Sequence, residues 1–240
     1  MLSSDFRNLI KSRRTVRDFL PRPIPEDTLA AILKDASECA SWSNTRPYCI
    51  AVATGDQLER LRESYVKAFN ATLGVQHKDP VAILKAPFTG ALPDGDFKTW
   101  KPYPDELLAR SRKVGKALYT HMGVPRGDQE ARDEAQRRNV EFFGAPAVLW
   151  MFVHKELLPF SALDAGIMLQ TLMLSAKANG VDSCPLGVLA TWRGPVDKEF
   201  EIPSDYKLVT GLALGFASGS PVNGFRAERP SISVVKSWAK

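Results

Sequence analysis

The chain has 240 residues, of which 44% are hydrophobic and 25% charged, with 12 Phe and 5 Trp. That composition excludes an intrinsically disordered chain and supplies enough apolar side chains for a sizeable core. Lys+Arg 32 against Asp+Glu 27 leaves a formal net charge of +5, which suits nucleic acid or a phosphorylated small molecule, so the placement of the charge must decide.

The three cysteines, Cys39, Cys49 and Cys184, form no CxxC pair and fit a reducing compartment. The N-terminal MLSSDFRNLIKSRR is charged early and lacks an apolar signal core. The longest uncharged apolar run, Ala165 to Ala176, is bracketed by Asp164 and Lys177 and is too short to cross a bilayer. A cytoplasmic protein with no membrane association is expected.

In chain order, helices are predicted over residues 4–12 and 26–40. The second has Pro25 ahead of it, Glu26 and Asp27 in its first turn, and Leu29, Ile32, Leu33 and Ala36 on one face. Tyr48 to Thr54 (YCIAVAT) reads as a buried strand closed by Gly55. Residues 56–73 return to helical spacing through Leu58, Leu61, Tyr65 and Phe69. Residues 77–104 carry Pro80, Pro87, Pro93, Pro102 and Pro104 among scattered glycines, so regular structure is hard to sustain there. They open an irregular and helical excursion, 77–125, near the presumed site.

Two charged helices are expected over 105–122 and 128–143. Ala147 to Val153 (AVLWMFV) reads as a second core strand, and 162–179 as an apolar helix stopped by Gly180. Val181 to Leu186 reads as a short strand or turn, and Lys207 to Phe216 as the last strand. With no internal repeat, this order predicts one α+β domain spanning residues 1–240, a sheet covered by helices.

The phosphate loop GxxxxGK[ST], HExxH and GxSxG do not occur. Gly211, Gly215 and Gly219 lie in or just after a strand-like run at the wrong spacing for a dinucleotide loop. His77, His121 and His154 are far apart and have no further ligand at metal-site spacing, so no metal is expected. Cys184 reads as a small buried hydrophobe. Chemistry is then expected from a cofactor that brings the reactive atoms, with no catalytic side chain.

The informative basic segment is Arg13-Arg14-Thr15-Val16-Arg17, where the helix pattern ends and the chain becomes extended. There residues 13, 15 and 17 share a face, and guanidinium groups flanking a hydroxyl suit a terminal phosphate. A solvated basic turn would look the same. A second basic pair, Arg226 and Arg229, lies in the irregular tail VNGFRAERP. Nothing in the spacing brings the two clusters together. Ser41-Trp42-Ser43-Asn44-Thr45-Arg46-Pro47-Tyr48 is a polar loop leading into a buried strand, a place for a ligand or merely a capped turn. In Cys184-Pro185-Leu186-Gly187-Val188, Pro185 stiffens the chain and Gly187 allows backbone to approach a flat ligand.

Taken together, these segments resemble the FMN-dependent nitroreductase family over nearly the whole chain. The resemblance rests on RRTVRDF (13–19), PIPEDTLAAIL (23–33), SWSNTRPY (41–48), DAGIMLQTLMLSAKANGVDSCPLG (164–187) and FRAERP (225–230). It implies a nitroreductase-like fold with a central mixed or antiparallel sheet, in an intertwined homodimer that binds FMN and takes electrons from NADPH or NADH.

By the same resemblance, Arg13, Arg14, Thr15 and Arg17 match the FMN phosphate and ribityl contacts, with Arg229 and Arg226 closing from the C-terminal side. Pro185, Leu186, Gly187 and Val188 match the segment beside the isoalloxazine, the N–H groups of 187 and 188 near N5 and O4. Ser41, Trp42, Ser43 and Asn44 would approach from the partner subunit, and Asn139 or Arg138 would contact the pyrimidine ring. Trp42, Tyr103, Tyr119 and Phe142 are the candidates for walls of the substrate slot. Arg46 and Tyr48 replace the family's commoner Gln and Trp, and the Pro-Leu-Gly turn brings no carboxylate beside N5. Residues 103–128 with NVEFFGAP (139–146) are similar to the branch acting on nitrobenzoates and other nitroaromatic compounds.

The implied reaction is ping-pong hydride transfer from NAD(P)H through flavin N5 to a nitroarene. The alternatives are another redox reaction on the same flavin (quinone reduction, dehalogenation or substrate oxidation) and a non-catalytic flavin-binding redox sensor. A nucleic-acid partner is not expected, since no stripe of basic and aromatic residues accompanies the charge.

Overall fold

A computed structural model describes residues 3–89, 92–99 and 102–231. Among these, five strands form one sheet: β1 (Phe19–Leu20), β2 (Tyr48–Thr54), β3 (Ala147–His154), β4 (Asp182–Leu186) and β5 (Tyr206–Ala217). The path runs β1-β5-β3-β2, β4 also pairs with β5, and every pairing is antiparallel. The sequence pattern places β2, β3 and β5 within a residue or two of their observed ends.

β3 lies between β2 and β5 and is buried along its length up to His154. Its alternation divides the core in two. Val148, Trp150 and Phe152 join Tyr65, Phe69 and Phe142 on one face, while Leu149, Met151 and Val153 join Ile32, Leu172 and Met173 on the other. The first face is covered by α3 (Gly55–Gln76) and the second by α2 (Glu26–Ser37) and α7 (Phe160–Ala178). α7 ends as predicted: Gly180 takes a φ of +74°, and the Val181 N–H reaches back to the Ala176 carbonyl at 2.8 Å. Its inner stripe packs into the core, yet Phe160, Leu163 and Ile167 remain exposed beside α1 (Ser3–Ser12), whose Phe6 and Ile10 are exposed too.

Residues 77–104 correct the sequence reading, because α4 (Pro80–Thr89) forms inside them. Pro80 stands at the first helical position, where a missing N–H costs nothing. Asp79 caps the turn by accepting from the Val81 N–H at 2.8 Å. α5 (Asp105–His121) forms as expected, but α6 (Gln129–Val140) stops before the predicted end at residue 143. Phe142 and Phe143 take φ of +58° and +54° there, a left-handed step that breaks the helix. The two-residue β1 and the four-residue α8 (Gly194–Asp197) carry too short a pattern to have been read.

A buried polar link crosses the first core face. The Tyr65 hydroxyl accepts from Trp150 Nε1 at 3.0 Å and lies 3.1 and 3.2 Å from the carbonyls of Leu189 and Trp192. It ties helix and sheet to the 3₁₀ turn Gly187–Thr191 that follows β4. That turn is therefore held rigidly from below.

Candidate functional site

After α1 the chain runs extended between β4 and the C-terminal tail. Thr15 forms a parallel bridge to Ser183, and the Val16 N–H donates to the Ser183 carbonyl at 3.0 Å. The Arg17 N–H donates to Asn223 Oδ1 at 2.8 Å, and Asn223 Nδ2 donates to the Asp18 carbonyl at 2.8 Å. The two basic clusters, which the spacing alone could not connect, are thus stitched together.

Their electrostatics are unusual. Burial lowers Arg13, and the nearby Arg229 lowers it further. Burial also lowers Arg17, with Cys184 opposing the shift. Arg14 Nε is buried without a hydrogen-bond partner. Among the described residues, none of Arg13, Arg14, Arg17 and Arg229 forms an ion pair. Partly desolvated cations that repel one another are costly unless an anion joins them, and a phosphate has the charge and the acceptors to do so. Arg226 is used differently: its Nη1 donates to the Asn223 and Phe225 carbonyls, both at 3.0 Å. Arg226 and Arg229 both line a groove against α5.

Arg17 borders one of two cavities that share Tyr119 and Asn139 as common wall. One, of about 460 Å³, is lined by Arg17, Arg138 and Phe143 among others. The second, of about 660 Å³, gathers Tyr103, Gly187 and Val188 with Phe69, Gln76, Thr99, Gln136, Thr191, Trp192 and Val209. No described lining residue of the second cavity is charged. Arg138 is engaged by Asp18 at 3.4 Å and Glu141 at 3.5 Å, whereas Asn139 reaches both cavities. Leu186 points its side chain into the core, at 1% exposure, and Pro185 sits in the β4 ladder opposite Leu212. A Cβ built on Gly187 meets nothing within 4 Å, so the backbone at the start of the turn is open on that side.

Phe142, expected in the slot wall, is corrected: it is fully buried, edge-on to Tyr65 and Trp150, because the left-handed step turns it inward. Ser41, Trp42, Ser43 and Asn44 line neither cavity. They sit on the first turns of α7, where the Trp42 N–H donates to the Asp164 carboxylate at 3.0 Å and the indole lies 4.2 Å from the Phe160 ring. Arg46 donates to the Ser37 carbonyl. The Tyr48 hydroxyl meets Cys39 Sγ at 3.2 Å, and burial, with that contact, pushes its pKa up to about 12.

The walls that sequence reasoning missed come from α3, the 92–99 segment, α6 and the turn after Gly187. Thr191 and Trp192 had the clearest signal, since they continue the turn that Gly187 opens. The three histidines behave as structural groups: His77 faces Asp133 at 2.8 Å, His121 meets the Pro221 carbonyl at 2.8 Å, and His154 packs on Tyr206. Among the described residues no cluster of metal-ligating side chains occurs. Cys184 is 2% exposed, and burial pushes its thiol up to about 12, so it stays neutral.

Comparison with known proteins bears on the whole of this arrangement. The model of the "Nitroreductase family" matches residues 10–216. A 4-nitrobenzoate reductase of Pseudomonas putida is 32% identical over 95% of this chain and 93% of its own. The FMN-dependent nitroreductase NfnB of Mycobacterium smegmatis, solved in complex with NADPH, superimposes with a TM-score of 0.84 at 29% identity over 100% of both chains. The FMN and NADPH-dependent NfnB of sphigopyxis sp. strain HMH gives 0.82 at 27% identity, again over 100% of both. A family match that runs from the end of α1 through nearly all of β5 means that the chain belongs to the nitroreductase family.

Proposed function

We propose that this protein is an FMN-dependent oxidoreductase that passes hydride from NADPH or NADH to nitroaromatic acceptors by a ping-pong mechanism. The observation that carries the reading is the set of guanidinium groups without carboxylate partners, Arg13, Arg14, Arg17 and Arg229, with Arg17 on the wall of a cavity that shares Tyr119 and Asn139 with the uncharged one bordered by Gly187 and Val188. FMN, when bound, supplies the atom that takes hydride from the nicotinamide and returns it to the nitro group.

The residues present fit that group. Arg13, Arg14, Thr15 and Arg229 would hold the phosphate, whose charge would offset the repulsion between Arg13 and Arg229 and offer an acceptor to the orphaned Arg14 Nε. Arg17, half buried at the edge of the smaller cavity, would set positive charge near the ring. The leading N–H groups of the 187–191 turn have no carbonyl within their own turn and serve as fixed donors at the ring edge. Pro185 and Leu186 would contribute backbone there, Asn139, which reaches both cavities, would meet the pyrimidine edge in preference to the ion-paired Arg138, and Tyr103 and Tyr119 would flank the acceptor. Among the described residues no carboxylate, imidazole or amine lines the uncharged cavity, so the proton that accompanies hydride in each step of nitro reduction would come from solvent, which also takes the water released.

We further infer a homodimer with one FMN-binding domain per chain. The exposed apolar stripe of α7 and α1, with Trp42 at 57% exposure, provides the contact surface. Residues 41–44 precede β2, which is three strand positions from β4, about 14 Å at ordinary spacing. Their contact with flavin is therefore assigned to the partner subunit. We place the enzyme in the cytoplasm, where NAD(P)H is available; no helix among the described residues is long and apolar enough to cross a membrane.

The test is direct. The purified protein should be yellow, elute as a dimer, release FMN on denaturation and oxidise NADPH when a nitroarene is added. Colourless protein that cannot be reconstituted with FMN overturns the cofactor assignment. Bound FMN that NAD(P)H does not reduce, or brisk turnover of quinones or halophenols with none of nitroarenes, overturns the reaction.

A further inference from the structure

Residues 92–99 lie in the proline-rich excursion and have no secondary structure to hold them, yet Asp94, Gly95 and Asp96 are fastened to the protein at every step. Asp94 accepts from the Arg193 N–H at 2.8 Å and the Gly194 N–H at 2.9 Å. The Gly95 N–H donates to the Thr191 carbonyl at 3.0 Å. A Cβ on Gly95 would stand 2.0 Å from the Ala190 carbonyl oxygen, so only glycine fits this close approach. Asp96 Oδ2 accepts from Arg193 Nη1 and from the Leu208 N–H, both at 2.7 Å, and Oδ1 lies 3.2 Å from Lys207 Nζ.

The anchor is buried and fully occupied. The side chains of Asp96 and Arg193 are 10% and 13% exposed. Arg193 also donates to Asp197 at 2.6 Å and to the Tyr206 carbonyl at 3.0 Å, and its guanidinium lies 5.0 Å from the Phe152 ring centre. Burial alone would raise the Asp96 carboxyl, but the Leu208 N–H and Arg193 outweigh it and hold it below the ordinary range. This is a fixed bridge and carries no mobile proton at neutral pH.

What the bridge joins gives it a purpose. Three residues beyond Asp96, the Thr99 hydroxyl meets the Thr191 hydroxyl at 3.2 Å. Thr99 and Tyr103, from the excursion, and Gly187, Val188, Thr191 and Trp192, from the turn after β4, both line the uncharged cavity. None of Asp94, Gly95, Asp96 and Arg193 lines the cavity. We infer that Asp94-Gly95-Asp96 is a clasp that sets the distance between these two segments, with Asp96 as a positioning residue for acceptor binding, an inference that rests on the proposed reaction for its functional part.

Asp96→Asn keeps the side-chain shape and removes the charge. In the FMN-loaded enzyme it is expected to raise KM for nitrobenzene about tenfold, with kcat changed by less than about threefold and flavin content unaltered. Amide hydrogen exchange should accelerate in residues 92–99 while 147–154 stay protected. Gly95→Ala, which reaches the same contact by steric conflict, should reproduce both changes. Unchanged KM with unchanged exchange in 92–99 overturns the clasp. So does loss of flavin, or a fall in kcat as large as the rise in KM, because either signifies general support of the fold. The exchange measurement needs no flavin and no acceptor. A parent protein that fails to reduce nitroarenes therefore overturns the assigned reaction, whereas intact protection of 92–99 in Asp96→Asn overturns the clasp itself.

Discussion

Two groups of arginine, one along residues 13–17 and one at Arg193, are partly desolvated, and they are treated in opposite ways. Arg193 is pulled down by its burial, but Asp197 and Asp96 outweigh that and hold its guanidinium above the ordinary range. Arg13 and Arg17 are pulled down by the same desolvation and have no carboxylate to reverse it; for Arg13 the second influence is another arginine. A protein gains nothing in stability from leaving such groups unpaired. The satisfied arginine is architecture, and the unsatisfied ones are the groups proposed to hold FMN.

The strongest way to break the comparison is to treat both groups alike. Arg193→Met leaves the Asp96 carboxylate buried with only the Leu208 N–H and Lys207 for partners. The folded state should lose about 3 kcal/mol, read from urea unfolding. A loss below about 1 kcal/mol would mean that the pair behaves like a surface ion pair and that the clasp is weak.

Arg14→Met is the contrasting arm. Removing a guanidinium whose Nε is already orphaned should leave the stability of the FMN-free protein within about 0.5 kcal/mol of the parent. Affinity for FMN should fall about tenfold to a hundredfold, followed by quenching of flavin fluorescence on titration. A stability loss equal to that of Arg193→Met, with flavin affinity unchanged, would erase the distinction between the two groups.

How far this was legible in the sequence depends on the range of each interaction. β2, β3 and β5 announce themselves by local pattern, and Gly180 ends α7 because only a φ above zero continues the chain there. The arginines of 13–17 and the turn at Gly187 could be found as segments, each short and contiguous. α4 is hidden in the sequence because Pro80 looks like a breaker until its place at the first helical position is known. Phe142 was misread because its direction depends on two left-handed residues that its composition does not betray. The clasp was invisible for a different reason. Its hydrogen-bond partners lie 96 to 112 residues away, so an Asp-Gly-Asp in a proline-rich stretch looks like an ordinary turn.

The smallest effect tests whether Arg17 is as free as the comparison requires. Its electrostatic neighbour is Cys184, and a thiolate there would be a hidden counter-ion. Burial instead raises the thiol from 9.0 to about 12, only partly offset by Arg17. Below pH 9 both folded and unfolded chains keep the proton. Between 9 and 12 the unfolded chain releases it and the folded chain does not, so stability should fall by about 1.4 kcal/mol per pH unit from this group. Burial pushes the half-buried Cys49 the same way, and Tyr48 joins above pH 10. Cys184→Ala should therefore reduce the slope of unfolding free energy between pH 9 and 10 without abolishing it. An unaltered slope, together with rapid alkylation of Cys184 in the folded parent at pH 7, would make the thiolate the partner of Arg17. The charge beside the smaller cavity would then be neutralised from within, and the case for a bound anion would rest on Arg13, Arg14 and Arg229 alone.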